Sequence, residues 1–223
     1  MSTRLHRLYE EQGQSPWLDN IRRGFLLAGG LDQLRELGIR GVTANPTIFE
    51  KAVSSGDDYD AALRRLAGSD LSTTVILEEL LCEDIRAAAD VLRPVYEESD
   101  GRDGYVSIEV GPKLAHDTEG TIEEARKFWR ALDRPNIFIK VPATDGGIPA
   151  IRTLIGEGIN VNITLIFAIE YHERVMDAYL DGLELRAAAA EPLDHVASVA
   201  SFFVSRVDSE VDRRLGKLLE SEA

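Results

Sequence analysis

Lys140 is the residue best placed to do chemistry, because it stands where a lysine is costly. It lies in Asn136–Thr144, where Ile137, Ile139 and Val141 alternate with Phe138, Lys140 and Pro142. A period of two predicts a strand, with the aliphatic set on one face and Lys140 on the other. Desolvating an ammonium is expensive unless something pairs with it, so a salt-bridging structural lysine is the plain reading. The sharper reading is a desolvated amine that attacks a carbonyl and forms a Schiff base. A pyridoxal phosphate lysine would also explain Lys140, but no phosphate-cradling glycine loop accompanies it.

Polar residues recur on one side of other predicted strands. In Ile159–Phe167, Asn160, Asn162 and Thr164 oppose Ile159, Val161, Ile163 and Leu165. In Tyr105–Val110, Ser107 and Glu109 oppose Val106, Ile108 and Val110. Thr43 and Asn45 share a face of Val42–Asn45, and Ser201 falls late in Val196–Val204. Glu109, flanked by Ile108 and Val110, wants a cationic partner. Some candidates have plainer roles. Asp19 and Asn45 are placed to cap helices at Ile21 and Pro46, and Arg206 reads as a surface residue at a helix start. His6, His116, His172 and His195 show no metal-ligand spacing. Cys82 reads as a small core residue of a long helix.

The elements that must position these groups alternate. After an amphipathic segment at 3–13 and the brief apolar Trp17-Leu18, helical patterns fill 21–37, 47–100, Thr118–Leu132, Ile148–Ile155, Ala168–Ala189 and Val207–Glu220. Strand-helix alternation implies parallel strands joined by right-handed crossovers. Parallel strands covered by helices are normally near-continuous apolar runs, so the polar row needs a reason. A closed β/α barrel supplies one, because side chains near its strand ends point into a substrate mouth. Glu109, Lys140, Asn162, Thr164 and Ser201 would converge there. A doubly wound sheet competes, but its usual nucleotide-binding glycine spacings are absent.

Composition narrows the class. The 223 residues carry 25 basic against 39 acidic side chains, a net charge of −14, which argues against a nucleic-acid partner. An anionic substrate must then be held by local cations or helix N-termini. One cysteine rules out an internal disulfide and fits a reducing cytoplasm. No apolar run reaches membrane-spanning length, and no signal-peptide core opens the chain.

Five ordered blocks carry a resemblance. Val42–Thr47, Val106–Val110, Ile137–Thr144, Ile159–Phe167 and Ser201–Arg206 closely resemble transaldolase in order and spacing, and Asp19 within Trp17–Arg23 resembles the longer-chain branch of that family. In that family the Schiff-base lysine lies on the fourth strand, where Lys140 falls; most related class I aldolases carry it on the sixth, which has none here. The resemblance implies a TIM-type (β/α)8 barrel. It also implies transfer of a dihydroxyacetone unit from sedoheptulose 7-phosphate or fructose 6-phosphate to an aldose phosphate, in the non-oxidative pentose phosphate pathway. Lys140 would form the imine. Glu109 and Thr164 would manage its water and proton, and Asp19 would take the proton of the C4 hydroxyl. Asn45 and Asn162 would hold substrate hydroxyls, with Ser107 and Phe203 beside them. Ser201 and Arg206 would engage the far end, Arg206 on the phosphate. Neither metal nor organic cofactor is implied, and the expected partners are sugar phosphates, with an oligomer compatible.

One departure stands out: six strands are countable, whereas such barrels have eight and run to about 250 residues. The expectation is one domain over 1–223, a barrel lacking its last quarter. On that expectation the isolated chain would be poorly soluble or oligomeric, and at least about a hundredfold less active than a complete barrel. The alternatives are an inactive fragment, an interaction module that keeps the site residues, or another class I aldolase.

Overall fold

The computed structural model describes residues 2–44, 46–54, 56–68 and 70–221. The chain opens with α1 (Arg4–Gln12), β1 (Trp17–Leu18), α2 (Arg23–Leu27), α3 (Gly30–Glu36) and β2 (Gly41–Thr43). The helices α4 (Pro46–Ser54), α5 (Asp60–Ala67) and α6 (Thr73–Glu98) lead to β3 (Val106–Glu109). Then follow α7 (Thr118–Leu132), β4 (Ile137–Pro142), α8 (Gly147–Gly156), β5 (Val161–Ile166), α9 (Ile169–Ala188), β6 (Ser198–Phe202) and α10 (Val204–Ser221).

All six strands are parallel and lie in the order β1-β2-β3-β4-β5-β6, so neighbours in space are neighbours in sequence. That winding is the barrel's; a doubly wound sheet reverses its strand order at a switch point. β1 and β6 are the two edges of the arc.

The aliphatic face of each strand meets the helices. Val106, Ile137, Ile139 and Val161 are fully buried, together with Ile85, Ala88 and Leu92 of α6, Ala125 and Leu132 of α7, and Ile151 and Leu154 of α8. Each large aliphatic side chain removed from water contributes about 1.5–3 kcal/mol, which anchors the polar face opposite. Local chemistry sets the helix starts: Ser72 Oγ accepts from Val75 N–H, and Asp117 Oδ1 accepts from Gly120 N–H.

In β5 the predicted alternation breaks. Asn160, Asn162 and Thr164 do turn away from the helices, but Leu165 does not join Ile163 in the core. It is exposed, adopts φ +60°, and sits where the β5–β6 register shifts between Ile163 and Ile166. Ile166 takes the core position instead. An extra residue in one strand is a β-bulge, which strict period-two counting cannot foresee.

Candidate active site

Parallel pairing sets Glu109 opposite Lys140 and Lys140 opposite Asn162, so three adjacent strands present three polar side chains side by side. Lys140 is 8% exposed. Its Nζ lies 3.6 Å from Glu109 Oε2, an ion pair longer than a hydrogen bond. Burial pushes the Glu109 carboxyl above its ordinary value; the Lys140 charge pulls it back, and the negative charge of Asp19 pushes it further up. A carboxyl raised by burial, 3.6 Å from a buried amine, is placed for proton transfer at that amine.

Asn162 is pinned at both ends. Its Nδ2 donates to Ser107 Oγ at 3.0 Å, and its Oδ1 accepts from Ser201 Oγ at 2.7 Å. Three strands are thereby cross-linked through one buried amide. Thr164 is 1% exposed and its Oγ1 has no partner; the Thr43 hydroxyl on β2 is also buried and unpaired. An unsatisfied buried hydroxyl costs about 1–3 kcal/mol, so two of them on the polar face stand out.

These groups line one cavity of about 860 Å³, whose wall includes Asp19, Thr43, Lys140, Asn162, Thr164, Ser201 and Phe203. Its floor is aromatic. Tyr105 stacks on Phe138 with ring centres 4.2 Å apart, and Trp17 lies 6.3 Å from Phe138. Gly41 makes this floor possible, since a Cβ there would fall 2.2 Å from the Trp17 ring. In the same wall Asp103 forms a partly buried ion pair with Arg40 at 2.5 Å, and Ser15 Oγ donates a hydrogen bond to Asp103 Oδ1. Glu109 is not in that wall; it lines a neighbouring cavity of about 510 Å³ with Phe49, Leu77, Leu81 and Phe128, while its Oε2 stays 3.6 Å from Lys140 Nζ.

Among the predicted residues, Lys140, Asp19, Thr164, Asn162, Ser201 and Phe203 share the cavity, Glu109 pairs with Lys140, and Ser107 holds Asn162. Arg206 is not in the cavity wall. It is exposed at the start of α10, with its guanidinium 4.0 Å from the centre of the Phe203 ring. Asn45 lies outside the described residues. Thr43, which shares a strand face with Asn45 in the sequence, joins the site through its buried, unpaired hydroxyl. Among the described residues no cluster of His, Cys, Asp and Glu is arranged to hold a metal, and no helix is long and apolar enough to cross a membrane.

Comparison with known proteins adds to this geometry. The family model described as Transaldolase/Fructose-6-phosphate aldolase matches residues 16–223. A protein named transaldolase from Thermobifida fusca is 53% identical over 214 residues, 96% of this chain and 58% of its own length. Transaldolases from Parafrankia sp. and Mycobacterium tuberculosis are 52% and 49% identical over 92% and 95% of this chain, and 56% and 57% of their own lengths. The chain thus spans less than three fifths of these curated relatives.

Proposed function

The chain belongs to the transaldolase/fructose-6-phosphate aldolase family, and from that premise we propose that Lys140 forms a Schiff base with a ketose phosphate and passes its three-carbon dihydroxyacetone unit to an aldose phosphate. The observation that carries this reading is the buried amine of Lys140 on the fourth strand, with Glu109 3.6 Å away and a cavity in front of it.

In the proposed cycle the free amine of Lys140 adds to the ketone carbon, and the carbinolamine loses water to give a protonated imine. Glu109 shuttles the protons, with Thr164 offering its unpaired hydroxyl to the departing water. Asp19 then accepts the C4 hydroxyl proton while the C3–C4 bond pair flows into the imine. The aldose phosphate leaves, and an enamine of dihydroxyacetone stays on Lys140. Addition of that enamine to an acceptor aldehyde reverses the steps, and hydrolysis frees Lys140. The protonated imine is the electron sink throughout.

Asn162, fixed by Ser107 and Ser201, is oriented to hold the hydroxyls of the three-carbon unit. Arg206 and Asn45 complete the proposal: Arg206, resting on Phe203, takes the phosphate, and Asn45 contacts substrate hydroxyls. Sedoheptulose 7-phosphate and fructose 6-phosphate are the proposed donors, in the cytoplasm and within the non-oxidative pentose phosphate pathway. The test is incubation with fructose 6-phosphate, borohydride reduction and intact mass. A reduced three-carbon adduct on Lys140, absent in Lys140→Ala, is expected. A folded protein that traps nothing overturns the proposal.

A further inference from the structure

Asp19 has no tether of its own: among the described residues its side chain makes no hydrogen bond or ion pair. Its place is set by what holds the two ends of the loop between β1 and α2. On one side β1 contributes only two ladder positions, Trp17 against Gly41 and Leu18 against Val42. On the other, Ile21 is seated in the main core at 2% exposure, and Arg23 enters a buried polar network.

That network joins three segments. Arg23 Nε donates to Asp84 Oδ1 at 2.6 Å, and its Nη2 donates to the Leu80 carbonyl at 3.0 Å and to Glu83 Oε2 at 2.9 Å. The Tyr59 hydroxyl donates to the other Asp84 oxygen at 2.7 Å and accepts from the Arg23 backbone N–H at 3.4 Å. Asp84 and Tyr59 are 3% and 1% exposed. The guanidinium also lies 4.8 Å from the centre of the Tyr59 ring. Gly24 of α2 lies against the Asp58 carboxylate of the turn before α5. The 26-residue α6 supplies the rigid member, and the loop bearing Asp19 is fastened to it four residues away.

A buried ion pair is weak evidence for stability, since well-packed apolar residues often do as well. What directed, two-oxygen hydrogen bonding adds is fixed geometry. Resting on the proposed Schiff-base chemistry, we propose that Arg23, Asp84 and Tyr59 are positioning residues for Asp19, and that they govern carbon–carbon cleavage rather than imine formation at Lys140. Imine formation belongs to Glu109, Lys140 and Thr164 on β3, β4 and β5, and Arg23, Asp84 and Tyr59 make their hydrogen bonds and ion pairs to one another and to α6, not to those side chains.

The two steps leave different products under borohydride. Hydride adds to the imine carbon, so an uncleaved intermediate is trapped on Lys140 as a six-carbon, phosphate-bearing amine. A cleaved one, after the enamine takes a proton, is trapped as a three-carbon amine. Tyr59→Phe deletes one hydroxyl and keeps the ring that packs edge-on against Phe49; Arg23→Lys keeps the charge and loses the fork. With fructose 6-phosphate and rapid quenching, both variants are expected to raise the six-carbon to three-carbon ratio at least about fivefold. Total adduct should stay within about twofold of the unmodified protein, and kcat should fall with KM little changed. An unchanged ratio, or a parallel loss of both adducts, overturns the positioning role. An unmodified protein that traps no adduct removes the Schiff-base reading itself, which is a separate failure.

Discussion

Replacing Ser107 by Ala removes one oxygen and asks how much the site depends on the Asn162 amide being held at both ends. Ser107 is fully buried on β3, and Asn162 is 4% exposed. The substitution deletes the 3.0 Å bond from Asn162 Nδ2 and leaves that donor without a partner where water has little access. A net hydrogen bond is worth about 0.5–1.5 kcal/mol, and an orphaned buried donor costs about 1–3 kcal/mol, so a stability loss of about 1–3 kcal/mol is expected. Ser201→Ala breaks the 2.7 Å bond at the other end, but Ser201 is only half-buried and β6 is an edge, so water can replace it. Its cost should be the smaller, about 0.5–1 kcal/mol. With only one end held, the amide can swing, and trapping at Lys140 should slow by about ten- to a hundredfold, equivalent to about 1.4–2.7 kcal/mol. Urea unfolding of both single variants and the double variant, beside timed borohydride trapping, checks each figure. The double variant should depart from additivity because both bonds end on one side chain. A Ser107→Ala protein as stable as the original, or a costlier Ser201→Ala, would refute the argument.

Three further outcomes follow from other parts of the molecule. Burial raises the Glu109 carboxyl above its ordinary value, so its stabilising contribution is full below the ordinary carboxylate range and is lost as pH rises through the raised value. Glu109→Gln should remove that fall; urea unfolding from about pH 4 to about pH 7 should show the Gln variant gaining on the original as pH rises, and parallel curves would count against it. Leu165 at φ +60° carries left-handed strain of about 1–2 kcal/mol, so Gly or Asn should be tolerated there, whereas Val should cost at least about 1 kcal/mol in thermal or urea unfolding. Burial pushes the Cys82 thiol up to about 11, and the residue is 3% exposed. Native labelling by a thiol-disulfide reagent should therefore run at least about a hundredfold slower than for an ordinary thiol, and fast labelling would show that α6 opens locally.

The strand order was readable because its signal is simple. Period-two runs separated by helical patterns leave few topologies, and the polar side of those runs told in advance which face would line a cavity. The bulge at Leu165 was not readable, because the residue is an ordinary aliphatic in an ordinary alternation. Only the register against β6 shows that one residue too many has been fitted between Ile163 and Ile166. The Arg23 network was half-readable. Asp84 falls on the apolar stripe of α6, three residues after Leu81 and four before Ala88, where a carboxylate demands a partner. Its partners lie 61 and 25 positions away, in segments whose own patterns say nothing about each other.

The same contrast runs through the site. Lys140, Glu109, Asn162 and Thr164 announced themselves because each is a polar residue interrupting a buried strand, and the cost of burying it is itself the signal. Asp19 sends no such signal. It lies exposed in a loop, where a carboxylate is ordinary, and only the resemblance singled it out. Its position is borrowed from Ile21 and Arg23, and through Arg23 from α6. A loop carboxylate that must meet a substrate hydroxyl needs such a borrowed anchor, since a misplacement of about 1 Å is enough to cost a hundredfold in rate. In the proposed chemistry the strand residues would bind the substrate, and α6, through Arg23, would hold the carboxylate that cleaves it. Loss of the Arg23 link to α6, with the α6 core packing left in place, should therefore appear as a defect in the proposed cleavage step while the cavity around Lys140 stays intact.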